Sequence, residues 1–379
     1  MEVGWDQVRA RRLARSSLSE RAEDDRLAEV AGAVCGVHAQ VQASAELQLG
    51  ARVDGVVQAD VRASLWERRE LVKAWTIRGT LHLHPAHELP LWHAARRAVL
   101  ESGDQGLPAW PDPAGVVHPA LPADEVEAVR AAVWEVLDGR CLLRDELVAE
   151  VVERIGAAPR ERLASGFAFF LGDLCQGPPQ GSRITLARPD QWIEGWQEMD
   201  ERVALREVCR RFLRTYGPAR PRDFYEWFGT SAFRVAGARA LFEEVASELE
   251  QIDLDGGGYF VLAGDRWFPE PSRQVRLLPE YDVYVMGFRE RDQLVRPPVR
   301  ELIASHGRGR YEGPAGVRLV LIDGVAAGLW ERKRRGKRLE LNVRMSRRIG
   351  KVARAELQRE AERLGAFLGL EPLLSVEES

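Results

Sequence analysis

Cysteine is scarce in this 379-residue chain: the four present, Cys35, Cys141, Cys175 and Cys209, lie far apart and form no CxxC pair. That spacing argues against structural zinc and suits buried free thiols in a reducing compartment. Long apolar runs are also missing. No stretch approaches the roughly 20 residues a membrane helix requires, and the opening Met1-Glu2-Val3-Gly4-Trp5-Asp6 lacks a signal-peptide pattern, so a cytoplasmic protein is expected. Nor is either charge in excess: 54 Lys and Arg stand against 58 Asp and Glu, a net −4 that does not advertise a nucleic-acid binder. The mean hides an asymmetry, however. Arg332, Lys333, Arg334, Arg335, Lys337, Arg338, Arg344, Arg347, Arg348, Lys351 and Arg354 crowd one C-terminal stretch. Such clustering can build a basic face on an acidic protein; a solvated hairpin and helix surface is the plainer reading.

With 45% hydrophobic residues, a chain of this length is expected to form two to four compact units. Helical spacing predicts helices over Trp5 to Leu18, from Leu27 to about Cys35, over Ser44 to Arg52, and over Val61 to Arg69 with Asp60 as N-cap. A β-prone run, Leu71 to Leu83, follows, interrupted by Gly79. Helices followed by a short sheet are the outline of a winged helix. Pro108, Pro111, Pro113, Pro119 and Pro122 mark a linker.

The outline then recurs. Helices are expected over Asp124 to Leu137, Arg144 to Ile155 and Leu163 to Cys175, the last carrying Phe167, Phe169 and Phe170. A turn at Gly177 to Gly181 leads into the strand Arg183 to Leu186. A third set has helices over Glu201 to Tyr216, Pro221 to Phe228 and Ala236 to Leu249, a turn at Asp255 to Gly258, and the strand Tyr259 to Leu262. From about Arg273 strands dominate: Val283 to Met286, Val317 to Ile322, the tight turn Asp323-Gly324, Ala326 to Trp330, and Leu339 to Val343, with a closing helix over Ile349 to Leu368. The expected fold is α+β: three tandem winged-helix units over 1–107, 123–200 and 201–272, then a barrel-like, β-rich domain with a terminal helix over 273–379.

Against this background one stretch stands out chemically. Val37-His38-Ala39-Gln40-Val41-Gln42 strings three neutral hydrogen-bonding side chains along a chain crowded with charges. If its backbone is extended, alternation puts His38, Gln40 and Gln42 on one face, able to hold a water molecule. The same residues could equally do no more than satisfy loose backbone groups at a helix end.

His38-Ala39-Gln40-Val41, Ala45-Glu46-Leu47, Trp66-Glu67-Arg68-Arg69, the run Trp75 to Leu83, Leu277-Leu278-Pro279-Glu280-Tyr281-Asp282 and Asp323 through Trp330 together resemble the AlkZ/YcaQ-type bacterial DNA glycosylases. The resemblance spans essentially the whole chain. It implies tandem winged helices with a C-terminal β domain, and excision of bulky N7-alkylated guanines from duplex DNA, including crosslinks, in several cases as self-protection by producers of genotoxic antibiotics. The family signature is glutamine, a hydrophobic residue, then glutamine or aspartate. Here His38, Ala39 and Gln40 occupy those positions, a histidine replacing the first glutamine. The alternative registration, Gln40-Val41-Gln42, restores two glutamines but displaces the flanking residues.

An N7-alkylguanine already carries positive charge, so its glycosidic bond breaks without a general acid. What remains is to stabilise an oxocarbenium-like sugar and deliver water to C1′. Gln40 would position that water and His38 would orient it or take its proton, with Gln42 in support. Asp282 could stabilise charge on the sugar, although Glu280 and Asp282 more simply fix a domain junction. Arg78 on the first wing could meet a phosphate or pair with an acidic neighbour. His306, Arg308 and Arg310, in a glycine-flanked loop between strands, and Arg332, Lys333, Arg334 and Arg335 are the candidate DNA contacts. His82, His84, His87 and His93 crowd one region, but with Glu88 as the lone nearby acid no metal is expected, nor any other cofactor. With no lysine at the motif, a lyase step is not expected either. A non-catalytic winged-helix DNA binder, a regulator or a drug-sequestering protein, is the rival reading.

Overall fold

A computed structural model of the chain describes residues 2–99, 109–111, 115–155, 174–229 and 233–378. It begins with strand β1 (Glu2–Val3) and helix α1 (Trp5–Arg15). The first block then runs α2 (Leu27–Ala33), β2 (Val37–His38), α3 (Gln42–Gly50), α4 (Gln58–Trp66), the hairpin β3 (Leu71–Trp75) and β4 (Leu81–Pro85), and α5 (Leu89–Arg97). A two-stranded ladder, β5 (Trp110–Pro111) and β6 (Val117–His118), precedes the second block: α6 (Ala123–Val136), β7 (Leu142–Leu143), α7 (Arg144–Ile155), β8 (Cys175–Gln180) and β9 (Arg183–Ala187). The third has α8 (Glu201–Tyr216), α9 (Pro221–Phe228), α10 (Val235–Glu244) and the hairpin β10 (Leu249–Leu254) and β11 (Gly257–Leu262).

Local chemistry explains most boundaries. Asp200 caps α8 by accepting the Val203 N–H at 2.8 Å, and Ala204, Leu205, Val208, Phe212 and Leu213 bury one helical face against α5 and α9. Two helix limits differ from expectation. Asp60 is not the N-cap of α4 but its third residue, taking the Val57 N–H at 2.8 Å, so the helix starts at Gln58. The helix expected to reach Leu249 stops at Glu244, because Leu249 opens β10 opposite Leu262. Cys175–Gln180 is a strand with an irregular register, and the turn lies beyond it at Gly181, where φ is +62°. Of the helix expected over Leu163 to Cys175, residues 163–173 and their phenylalanines lie outside the described residues.

The C-terminal part holds β12 (Val275–Leu278), α11 (Val283–Gly287), α12 (Pro297–Ser305), β13 (Leu319–Ile322), β14 (Val325–Arg335), β15 (Arg338–Met345), α13 (Lys351–Leu368) and β16 (Glu371–Glu378). Three corrections arise here. Val283 to Met286 is helical, since the Asp282 carboxylate accepts the Tyr284 N–H at 2.9 Å and starts a turn that the β-branched residues do not override. The sheet, in order β12-β13-β14-β15-β16, is open and not a barrel: β12 and β16 form its edges. The terminal helix is not the last element, because β16 returns along β15 in parallel. Its alternating side chains carry no strong sequence signal.

Sheets and ion pairs tie the blocks together. β2-β4-β3-β8-β9-β7 is one six-stranded sheet shared by the first two blocks, and β1 joins β10-β11 of the third. Tyr216 Oη and Thr215 Oγ1, at the end of α8, donate to the Val34 and Ala33 carbonyls at 2.7 Å each, capping the C-terminus of α2. Among the described residues no helix is long and apolar enough to cross a membrane.

The junction with the C-terminal part is polar and dry. Arg52 and Asp282 are both wholly buried and meet in a bidentate pair at 2.8 and 2.7 Å. Arg52 also donates to the Gln48 carbonyl at 2.9 Å, and the Gln48 side chain joins the His38 carbonyl (3.0 Å) to the Val283 N–H (3.2 Å). Removing one partner strands the other charge in the interior. Asp282→Ala should therefore lower unfolding stability by about 3–5 kcal/mol, read as a shifted urea midpoint; a loss below about 1 kcal/mol, the scale of an exposed pair, would contradict this role.

Candidate functional site

His38 closes β2, opposite His82 on β4. What delivers it there is the end of α2: Cys35 (φ +60°) and Gly36 (φ +91°) turn the chain left-handed, with the Gly36 N–H bonded to the Ala31 carbonyl at 2.8 Å. A Cβ at Gly36 would stand 2.2 Å from the His84 ring, so only glycine lets the chain pass there. The helix end is thus satisfied without His38. Its ring is left to the site, 5% exposed, edge-on to His82 (centroids 5.3 Å apart) and tilted against Tyr281 (5.4 Å).

The ring of His38 is neutral at physiological pH. Burial, then the positive charges of Arg78 and Lys73, pushes its pKa down to about 4, and Nδ1 has no hydrogen-bonding partner among the described protein atoms. His82 and His84 are also driven low by burial, and share Thr76 Oγ1 at 3.3 and 2.9 Å. With His84 against Trp92 (4.5 Å), they are core histidines.

Gln40 and Gln42 behave differently from each other. Extended pairing ends at His38 and α3 begins at Gln42, so strand alternation does not carry all three polar side chains onto one face. Gln40 is exposed, and its Oε1 accepts the Leu81 N–H at 3.3 Å. Gln42 is held at both ends: its oxygen accepts from Lys73 Nζ at 2.9 Å and its nitrogen donates to Glu46 Oε1 at 3.3 Å. Glu46 is wholly buried and also receives Gln58 (2.6 Å) and Arg62 (2.8 Å).

Lys73, absent from the motif's own sequence, reaches Gln42 in the fold. It is 5% exposed, and desolvation pulls its pKa down to about 8 against the counter-charge of Glu46. The signal was present as the one lysine in an otherwise apolar strand, LVKAW. Tyr281 was likewise missed as a site residue. Its φ of +59° is costly for a bulky side chain, and its hydroxyl is hydrogen-bonded to Glu312.

The remaining candidates scatter. Asp282 is not brought to His38: both its oxygens face Arg52 in the junction. Glu280 is similarly occupied by Arg318, at 2.6 and 3.0 Å. Arg78, at φ +54° in the turn between β3 and β4, donates to the Trp227 carbonyl of α9, and burial pushes its pKa down to about 10. Ser305 to Tyr311 is not a hairpin loop but the end of α12 and a helical turn, Gly309–Glu312. Arg308 and Arg310 are exposed there, while His306 Nε2 lies 3.4 Å from Glu331. On β14, Arg332 is half-buried, its pKa lowered by burial and then by Arg318; Lys333, Arg334 and Arg335 are exposed toward the strand's end. Among the described residues no group of three His, Cys, Asp or Glu could hold a metal.

Known proteins agree with this geometry in whole-chain terms. The family model for AlkZ-like DNA glycosylases matches residues 31–367. An interstrand DNA cross-link repair glycosylase of Streptomyces sahachiroi is 31% identical over 344 residues, covering 87% of this chain and 88% of that protein. The solved structure of the Streptomyces sahachiroi DNA glycosylase AlkZ superposes over the full length of both chains with a TM-score of 0.79 at 26% identity. Family model and relative each cover most of the chain, which belongs to the AlkZ-like DNA glycosylases.

Proposed function

We propose that this protein hydrolyses the N-glycosidic bond of bulky N7-alkylated guanine in duplex DNA, interstrand crosslinks included, with water positioned by His38 and Gln40. The observation that carries the reading is the neutral His38 ring, its Nδ1 without a hydrogen-bonding partner among the described protein atoms, at the position of the family signature. The first and third blocks each run three helices and then a hairpin, and the second runs two described helices before its hairpin, which supports reading each as a winged helix. In the first two, a short strand before the second helix pairs with the hairpin, β2 with β4 and β7 with β9.

The division of labour follows from the chemistry. A ring with pKa about 4 is a poor proton sink at pH 7, so His38 acts by accepting a hydrogen bond from water and aiming it at C1′. The oxocarbenium-like sugar itself activates the attack, and the proton is passed to solvent afterwards. Gln40 Oε1 has a second lone pair free of the Leu81 N–H for the same water. Gln42 is a support, since Lys73 and Glu46 occupy its amide. Arg308, Arg310, Lys333, Arg334 and Arg335, with His306 and Arg332 among them and Arg78 separately on the β3–β4 turn, are proposed to face phosphates, which holds the duplex without reading sequence. The protein is proposed to work without a lyase step and without a cofactor. Lys73 Nζ is engaged by Gln42, so borohydride should trap no covalent adduct with an abasic duplex.

The deciding assay is release of base, and of alkali-labile sites, from duplex bearing an N7-alkylguanine. Wild-type protein should release it; binding with no release, across simple and bulky adducts, would identify a non-catalytic DNA binder instead. His38→Ala and Gln40→Ala should keep DNA affinity yet slow excision by about 10² to 10⁴-fold. Damage at Gln42→Ala alone would favour the Gln40-Val41-Gln42 registration.

Acid should reveal the state of His38. The active ring is neutral, so excision should be flat from pH 8 to pH 5 and fall only as the ring protonates near 4. A fall centred between pH 6 and 7 would show an ordinary histidine. Because the folded pKa lies below the unfolded value of about 6.5, the unfolded chain takes up the proton first, and folding stability declines as pH drops from about 6.5 toward 4.

A further inference from the structure

The helical turn Gly309–Glu312 is anchored to the site, yet it exposes an aromatic ring. Glu312 holds the Tyr281 hydroxyl, and the Tyr281 N–H donates to the Ala315 carbonyl at 2.6 Å, so two bonds clamp this segment to the residue that packs on His38. The turn is internally tight: Arg310, Tyr311 and Glu312 donate to the His306, Arg308 and Arg308 carbonyls at 3.0, 3.0 and 2.9 Å. Gly309 is buried so closely that a Cβ would come 2.2 Å from the Ile303 carbonyl oxygen. On this rigid mount Tyr311 is 83% exposed, the most exposed large apolar side chain among the described residues. Arg308 and Arg310 precede it by three residues and by one, both exposed and without an ion pair among the described residues.

An exposed ring beside two exposed cations, one residue from the Glu312 that holds the tyrosine packed on His38, has the chemistry of a duplex wedge. Water can reach C1′ of the lesion only if the nucleotide leaves the base stack, and a vacated step is stabilised when an aromatic or apolar side chain fills it. We propose that Tyr311 stacks into the duplex at the step vacated by the extruded lesion, while Arg308 and Arg310 hold the flanking phosphates. This rests on the excision reading above. The partner is DNA because the ring and the arginines together match a base face bordered by phosphates.

The test uses the full-length protein and two readouts. In single-turnover release of 7-methylguanine from a fully paired duplex, Tyr311→Ala should be slower by about tenfold or more, the scale of one lost stacking contact. Tyr311→Phe and Tyr311→Trp should stay close to wild type, and the Ala defect should vanish when the lesion sits in an unpaired bulge. The second readout is binding to a duplex whose 7-methylguanosine carries a hydrolysis-resistant 2′-fluorine, with 2-aminopurine beside it. The probe should stay quenched with wild type and brighten with Tyr311→Ala. Wild-type rates for Tyr311→Ala on paired duplex, equal defects in Ala and Phe, or a defect that persists in the bulge would overturn the wedge. If wild type releases no base at all, the excision reading fails, and the fluorescence still decides: brightening in the Ala variant supports stacking, and identical signals overturn it.

Discussion

A single buried ion pair sets the frame in which the rest of this molecule operates. Arg52, at the end of α3, and Asp282, before α11, are 230 residues apart and wholly excluded from solvent. Two buried charges tolerate little freedom, since each displacement exposes one to a low-dielectric interior without its partner. Their geometry therefore fixes how the C-terminal sheet sits on the first block. Gln48 extends the constraint by linking the His38 carbonyl to the Val283 N–H. The position of the candidate catalytic residue and the docking of the C-terminal part are one hydrogen-bonded unit.

That unit brings Tyr281 against His38. Glu280, Tyr281 and Asp282 are consecutive, and each is pinned by a different partner: Arg318, Glu312 and Arg52. The positive φ at Tyr281 is the strain that results, stored next to the site where neighbouring contacts over-determine it. Charges complete the arrangement. Burial first, and then the charges of Arg78 and Lys73, disfavour protonation of the His38 ring, so an imidazole that would titrate near neutrality stays a hydrogen-bond acceptor. The proposed role of His38 rests on that neutrality, a neutral histidine standing where the resemblance places a neutral glutamine.

Much of the fold was legible because its signals are local. Glu201–Tyr216, Pro221–Phe228 and Arg144–Ile155 have the limits that apolar spacing implies, and the Asp323-Gly324 turn joins strands as its residues require. Failures came where a competing local bond or a distant strand decided. Val283 to Met286 reads as a strand until Asp282 caps it, and Glu371–Glu378 is a strand only because β15 offers an unpaired edge. Cys175–Gln180, with two prolines, looks like a turn but is held in a ladder by β9.

By itself the sequence determined helices such as Glu201–Tyr216 and Arg144–Ile155, the Asp323-Gly324 turn, the position of the His38 motif and the whole-chain resemblance, since periodicity and short motifs are properties of neighbouring residues. Tertiary structure alone decided that Lys73 engages Gln42 across 31 residues, that Asp282 pairs with Arg52 in a buried junction, and that Glu312 reaches Tyr281. The physical reason is burial. Whether a lysine is solvated or desolvated, or a glutamine oxygen free or taken, depends on atoms that meet only when separate blocks pack, and no spacing along one strand encodes them.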